Sequence, residues 1–135
     1  MADELMLEIA TPDRLVFSDK VEMVTIPGGD GEFGVLIGHA PLLSTVNIGE
    51  MNFNKDGKKT YYAVGKGYVE VTFRKVTMLL SAAERADQVN KEKARKSKEE
   101  AEQELARITR EDEAYGKVKD ALDWADARMK AAEKA

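Results

Sequence analysis

One histidine, no cysteine and 25 carboxylates are the groups in this chain whose types could carry chemistry. His39 stands alone, so neither a histidine metal cluster nor a conventional serine–histidine triad can be built. Without cysteine there are no thiolate metal ligands and no disulfide staples, which fits a reducing compartment. Gly28-Gly29-Asp30-Gly31 is rich in glycine but lacks the Gly-Lys-Ser/Thr ending that lets a phosphate loop grip its anion. The carboxylates crowd into stretches of helical composition, where such groups are solvated, and paired-carboxylate hydrolysis would need a cleft. Trp124 and the four tyrosines are not interleaved with a basic stripe, which argues against base stacking and hence against nucleic acid. The segment left over is Gly31 to Leu43, where glycines and Pro41 punctuate a short apolar stretch. Glycine permits positive φ or close backbone approach, and Pro41 fixes φ and withholds a donor. The spacing predicts two tight corners around one strand.

The elements that hold this segment follow from composition and period. With 135 residues the chain suits one ordinary domain or two small ones. Charged residues make up 34%, above the usual quarter, and the net charge of −4 implies no broad attraction to nucleic acid or anionic lipid. No apolar run approaches the ~20 residues of a membrane span. Met1-Ala2-Asp3-Glu4 is acidic with no hydrophobic segment behind it, so no secretory signal is expected. Any membrane association has to come through a partner.

From Leu5 to about Ser81 the pattern reads as strands. Leu7 and Ile9, then Leu15 and Phe17, flank a turn at Thr11-Pro12-Asp13-Arg14. Val21, Met23 and Thr25 alternate with Glu22, Val24 and Ile26 up to the turn cluster Pro27-Gly28-Gly29-Asp30-Gly31. Phe33 to Ile37 and Leu42 to Ile48 follow. Asp56-Gly57 is a hairpin signal between Met51 to Phe53 and Thr60 to Val64. Tyr68 to Thr72 and Lys75 to Leu80 close the set, which points to an antiparallel β-sandwich or barrel.

After about Asp87 glycine nearly disappears and Ala, Glu and Lys dominate. Asn90 is the expected N-cap of a helix reaching about Ile108. Thr109-Arg110-Glu111-Asp112 resembles a capping box that opens a second helix from about Arg110 to Ala132. Ala94, Ser97, Ala101, Leu105 and Ile108 form one stripe; Tyr115, Val118, Leu122, Ala125, Met129 and Ala132 form the other. A very short joint should fold them into an antiparallel hairpin with a thin alanine seam. In the first helix Lys91 to Lys98 precede Glu99 to Glu104, which opposes the macrodipole, with Arg95–Glu99 and Lys98–Glu102 pairs as partial compensation. The fold class expected is therefore segregated α+β, with a β-sandwich over residues 1–86 and a two-helix hairpin over 87–135.

Gly31-Glu32-Phe33-Gly34-Val35-Leu36-Ile37-Gly38-His39-Ala40-Pro41-Leu42 resembles the Gly-Glu-x-Gly-Val-x-x-Gly-His-Ala-Pro-Leu signature of the epsilon-subunit family of F-type ATP synthases. Val21 to Gly28 is similar to that family's third strand. Ala63 to Val71 resembles its Val-x-Gly-Gly-Phe-x-Glu-Val segment, with Lys66 replacing the first of the paired glycines. The resemblance covers nearly the whole chain and implies a non-catalytic rotor part at the cytoplasmic face of a bacterial plasma membrane. It would bind the gamma subunit, sit on the ring of c subunits and serve the catalytic alpha/beta hexamer, coupling proton-driven rotation to ATP synthesis. Asp30, Gly31 and Glu32 match the position that meets the c ring; His39, Ala40 and Pro41 match positions near gamma. The hairpin matches the regulatory part, which lies on the sandwich or extends into the hexamer and blocks ATP hydrolysis. Lys117, Lys119, Arg128, Lys130 and Lys134 are its candidate contacts to catalytic subunits.

Some members of that family bind ATP on the folded hairpin. The matching positions here are Glu84, Asn90, Lys93, Ala94 and Arg128. Asn90 replaces an aspartate, Lys93 an arginine, and Trp124 and Glu100 stand at two further arginine positions. Lysine lacks the planar fork that suits phosphate, so tight ATP binding is not expected. No metal or other cofactor is implied. Two other classes stay open: an ATP-sensing binding module, and a chaperone-like β body gripping clients with a helical hairpin. Arg110, Glu111, Asp112 and Glu113 charge the hairpin joint and disfavour the second.

Overall fold

The computed structural model describes residues 4–135; Met1 to Asp3, and with them most of the acidic start read above, lie outside the described residues. Ten strands precede two helices: β1 (Leu5–Thr11), β2 (Arg14–Val21), β3 (Met23–Gly28), β4 (Gly31–Leu36), β5 (Leu42–Val46), β6 (Gly49–Lys55), β7 (Lys58–Val64), β8 (Gly67–Val71), β9 (Lys75–Leu80) and β10 (Ala83–Arg85), then α1 (Lys91–Leu105) and α2 (Tyr115–Glu133). The expected sandwich followed by a helical hairpin is what the chain forms.

The strands run in the order β10-β7-β6-β3-β5-β8-β9-β1-β2, with β4 paired to β3. A single bridge, Gly28 to Val46, carries the path from β3 to β5, and there it folds into two layers. The Asp56-Gly57 turn has positive φ at both residues (52° and 77°), the primed geometry that suits a twisted two-residue hairpin. One pair departs from the expected antiparallel order: β1 and β9 are parallel. They are connected through the whole sandwich rather than by a tight turn, so no hairpin imposes opposite directions on them.

Alternation puts every second residue inside. Leu5, Leu7 and Ile9 of β1, Val24 and Ile26 of β3, Met51 and Phe53 of β6, and Val76, Met78 and Leu80 of β9 belong to one cluster of seventeen buried side chains. Side chains of this size stabilise by about 1.5–3 kcal/mol each when buried. Phe17 and Phe53, with ring centroids 4.6 Å apart, bring β2 against β6.

Two elements were not expected between the last strand and the first helix. β10 pairs with β7 through Ala83–Val64, Glu84–Ala63 and Arg85–Tyr62, and a 3-10 turn follows at Ala86–Gln88. Ala83-Glu84-Arg85 has no apolar alternation, so only its pairing with β7 makes it a strand.

Asn90 caps α1 as expected, its Oδ1 accepting the Lys93 N–H at 3.0 Å. The helix ends at Leu105 rather than Ile108, and α2 starts at Tyr115 rather than Arg110. Residues 106–114 form turns, so the joint is longer than expected. Thr109–Asp112 is not a capping box: Asp112 Oδ1 accepts the Ala114 N–H at 2.8 Å, and the Asp112 N–H donates to the Thr109 carbonyl at 3.1 Å. A carboxylate that satisfies backbone two residues ahead favours a turn over a helix start. Ser97 is exposed, and Lys98 occupies the seam in its place. Lys98 Nζ reaches Asp126 of α2 at 3.0 Å instead of pairing with Glu102.

α1 packs on α2, and among the described residues α2 makes the hairpin's main contact with the sandwich, against β6, β7 and the 3-10 turn. Ala127 and Ala131 cluster with Ala63 and Ala86, with Ile48, Tyr61 and Trp124 around them. An alanine methyl contributes about 0.8 kcal/mol on burial, far less than a core side chain. The hairpin is therefore the weakly held part.

Gly67 sits where a side chain has no room. A Cβ there would run into the Leu79 carbonyl oxygen and lie 2.8 Å from Leu80 Cα, both backbone. Gly116, in the first turn of α2, has open space around it. Gly67→Ala is expected to destabilise the chain by about 1–3 kcal/mol, and Gly116→Ala to stabilise it by up to about 1 kcal/mol. Urea unfolding of both variants checks this; equal midpoints would contradict it.

Candidate functional site

β4 separates the two halves of the Gly31-to-Leu43 segment. At its start, the turn Gly29-Asp30 leaves Asp30, Gly31 and Glu32 exposed at a hairpin tip, with Gly31 at φ 123°. Neighbouring loops hold this tip: the Gly29 N–H donates to the Thr45 carbonyl at 3.0 Å, and Asn47 Nδ2 donates to the Gly28 carbonyl at 3.3 Å. At its far end, on the order of 20 Å away by strand rise, Gly38 (φ 85°) donates its N–H to the Phe73 carbonyl at 2.8 Å. The His39 N–H donates to the Leu36 carbonyl at 3.1 Å, and His39 Nδ1 lies 2.7 Å from the Ala40 carbonyl oxygen. His39 is half-buried, while Ala40 and Pro41 are exposed. The sequence-predicted residues thus form two separate surfaces at opposite ends of one strand.

A third surface was not foreseen. On the outer face of β5-β8-β9-β1-β2, one register row runs Thr45, Tyr68, Leu79, Ala10, Leu15. Tyr68 is 60% exposed, Leu79 57% and Leu15 58%; Leu43, two positions along β5 from Thr45, is 73% exposed. Large apolar side chains standing together on an uncovered sheet face mark a docking surface. The sequence signal was present in the doublets Leu42-Leu43 and Leu79-Leu80, which break the alternation of half-buried strands. β5 starts directly after Pro41, so the His39 corner and this band are continuous along the chain.

The opposite sheet face carries α2. Of the candidate basic residues, Lys119 pairs with Asp123 at 2.7 Å, and that hydrogen bond raises its pKa. Arg128 Nε donates to Glu84 at 2.7 Å, with its guanidinium 6.0 Å from the Trp124 ring. Lys130 pairs with Asp126 at 3.0 Å, and Lys134 pairs with Glu50. Lys117 is exposed and, among the described residues, has no ion pair. Burial pushes the Asp126 carboxyl up, but the hydrogen bonds and charges of Lys130 and Lys98 outweigh it and hold its pKa below the ordinary value. Glu32 of the exposed tip lines a 290 Å³ cleft with Glu50, Asp123, Asp126 and Lys130, so the tip borders the docked hairpin.

The five positions matched to an ATP site do not converge on a prepared anion pocket. Glu84 and Arg128 meet, but they neutralise each other. Asn90 is occupied as the α1 cap, Lys93 is exposed and Ala94 is buried in the helix seam. The 420 Å³ cleft beside Glu84 is lined also by Arg14, Gln88 and Trp124.

Residues 4–86 match the family model described as the ATP synthase delta/epsilon chain β-sandwich domain. The chain is similar to the ATP synthase epsilon chain of Geotalea uraniireducens, 42% identical over 135 residues that cover 100% of this chain and 98% of the relative. It is also similar to that of Nitratidesulfovibrio vulgaris, 45% identical over 130 residues, 96% of either chain. Among solved structures, a chain of the Euglena gracilis mitochondrial ATP synthase, in an OSCP/F1/c-ring assembly, superimposes with a TM-score of 0.81 at 26% identity, covering 98% of this chain and 83% of that one. A chain from the central stalk/c-ring of the Tetrahymena thermophila enzyme shares the fold, with a TM-score of 0.62 at 12% identity over 95% of this chain and 96% of that one.

An ATP phosphate would have to displace Arg128 from Glu84 and leave that carboxylate facing the anion, a cost that a single freed guanidinium does not offset. Calorimetry of the full chain with ATP is expected to show millimolar or undetectable affinity; micromolar affinity would contradict this.

Proposed function

The chain belongs to the epsilon-chain family of ATP synthases, as a non-catalytic subunit, and on that premise we propose how its surfaces divide the work of a rotor part. The bare apolar row of Tyr68, Leu79 and Leu15, continued through Leu43 to His39, Ala40 and Pro41, docks on gamma. The exposed tip of Asp30, Gly31 and Glu32 meets the c ring. The hairpin regulates, offering Lys117, Lys119, Arg128 and Lys130 to the catalytic alpha/beta hexamer and restraining ATP hydrolysis when it leaves the sandwich. The observation that carries this reading is the asymmetry of the sandwich: α2 covers one outer face, and the other exposes a contiguous apolar row. No helix among the described residues is long and apolar enough to cross a membrane. The reading places the chain at the periphery of the membrane, held there by its partners, and the bacterial relatives support the cytoplasmic face of a bacterial inner membrane. The working division of the chain is residues 1–86 for torque and docking and 87–135 for regulation.

The mechanism needs rigidity on one side and release on the other. Torque passes between gamma and the c ring only if the body between them does not deform, and the close-packed aliphatic interior supplies that. Release needs an element whose docked and free states differ by little, which an alanine-seated helix provides.

Tyr68→Asp with Leu79→Asp places charge on the bare face without touching the interior. Recovery of gamma in a pull-down from cognate membrane extract is expected to fall about thirtyfold or more, the loss typical of interface anchors. Undiminished recovery would move the gamma surface elsewhere, and recovery of mixed clients in place of gamma would favour the chaperone-like reading.

Removal of residues 87–135 is expected to raise ATP hydrolysis by the assembled complex about fivefold, within the range of ordinary coupling energies. Unchanged hydrolysis would leave the hairpin without a regulatory role.

A further inference from the structure

On the covered face, Glu50 of β6, Ala63 of β7 and Glu84 of β10 are consecutive register partners, so two carboxylates flank one alanine in a single row. Ala63 is fully buried under α2, which packs Ala127 and Ala131 against it. Arg128 on the helix and Lys134 at its C-cap stand three residues before and after Ala131. Arg128 donates to Glu84 at 2.7 Å, and Lys134 bonds Glu50 while lying 5.2 Å from the Tyr61 ring centroid. At the other end of the helix, Lys66 reaches Asp120 at 2.9 Å.

We infer that the docked hairpin is held by an ionic latch on the sandwich, with Glu84 and Glu50 clasping Arg128 and Lys134 and Lys66 clasping Asp120, and that its docked population falls as these pairs are screened or removed. The seat between the clasps is mainly alanine, with Ile48, Tyr61 and Trp124 around it, so the apolar contact is shallow and three ion pairs weigh comparably in the balance. The inference deepens the regulatory reading above and rests on it for its purpose. Arg128, one of the cations proposed to face the catalytic subunits, is held by Glu84 while the hairpin is docked, so the two engagements of that residue exclude each other.

Trp124, the chain's one tryptophan, lies between α2 and the sandwich and reports docking in the full chain. Raising KCl from about 0.1 M to about 1 M shortens the Debye length from about 10 Å to about 3 Å. Acrylamide quenching of Trp124 and amide exchange in α2 are then expected to rise, while β6 and β7 keep their protection. Glu50→Gln with Glu84→Gln should exchange α2 about tenfold faster at low salt, the factor for losing two partly exposed pairs, and should respond less to KCl. Glu84→Arg combined with Arg128→Glu, which reverses one clasp, should return quenching towards that of the parent chain. Quenching and exchange indifferent to both salt and the double substitution would overturn the latch. If the double variant loses β6 and β7 protection, the salt series on the parent chain decides alone, and a flat series overturns the proposal. Because the isolated chain is used, failure of the latch is distinct from failure of the rotor reading, which shows in gamma recovery.

Discussion

The aliphatic interior of the sandwich is the constraint from which the remaining surfaces follow. Once Leu7, Ile9, Val24, Ile26, Val76 and Met78 are committed inward, period-2 geometry assigns each neighbouring residue to one of two outer faces. Tyr68, Leu79 and Leu15 then stand outward on one sheet because Val69, Leu80 and the buried β1 residues stand inward. Glu50, Ala63 and Glu84 stand outward on the other because Met51, Tyr62 and Val64 do not. A one-residue slip in one of these strands would turn its core side chains outward and take its contribution from the outer face. Interior packing and exterior function are thus one register.

The two outer faces meet opposite requirements. An apolar row of large side chains gives a non-directional attraction with slow release, suited to a partner held through every rotation. A seat of alanines flanked by single charges is directional and shallow, and partly exposed ion pairs contribute only about 0.2–1 kcal/mol each. α1 packs mainly on α2, through Ala94, Ala101 and the Lys98–Asp126 pair. Whatever loosens α2 therefore loosens both helices. The reversed charge order of α1 is consistent with this dependence. Its Asn90 cap and the Arg95 contacts to Glu92 and Glu99 satisfy its surface locally, but its stability comes from a neighbour.

The strands were legible because alternation and turn chemistry agree there: Asp56-Gly57, Gly29-Asp30 and Pro12-Asp13 each fall between well-formed strands. β10 was not legible, since a polar edge strand has no periodicity of its own and exists through pairing with β7. The hairpin joint was misread for a related reason. Thr109 and Asp112 have the spacing of a helix cap, but the Asp112 carboxylate finds the Ala114 N–H instead, and local competition of that kind leaves no trace in spacing. The second face of α2 escaped notice because Ala127 and Ala131 look like helix filler unless the surface opposite them is known. The resemblance located Asp30 to Glu32 and His39 to Pro41, and β4 set them a strand length apart; the apolar row beside them needed the register.

Position and not residue type separates the cations of α2 by role. Lys119 and Lys130 pair within their own helix, at i to i+4 spacing, so their partners travel with them when the hairpin moves. Arg128, Lys134 and Asp120 pair across to the sandwich, so undocking would free two positive charges and one negative charge on the hairpin and leave two carboxylates and Lys66 on the sandwich. Undocking therefore changes the charge that α2 presents to any partner, although the chain's net charge is unaltered. Glu84 and Arg128 are half-buried at the sheet, so separating them leaves each partly desolvated unless another acceptor replaces Glu84. On the proposed regulatory reading, an acidic partner surface meets that condition and a neutral one does not.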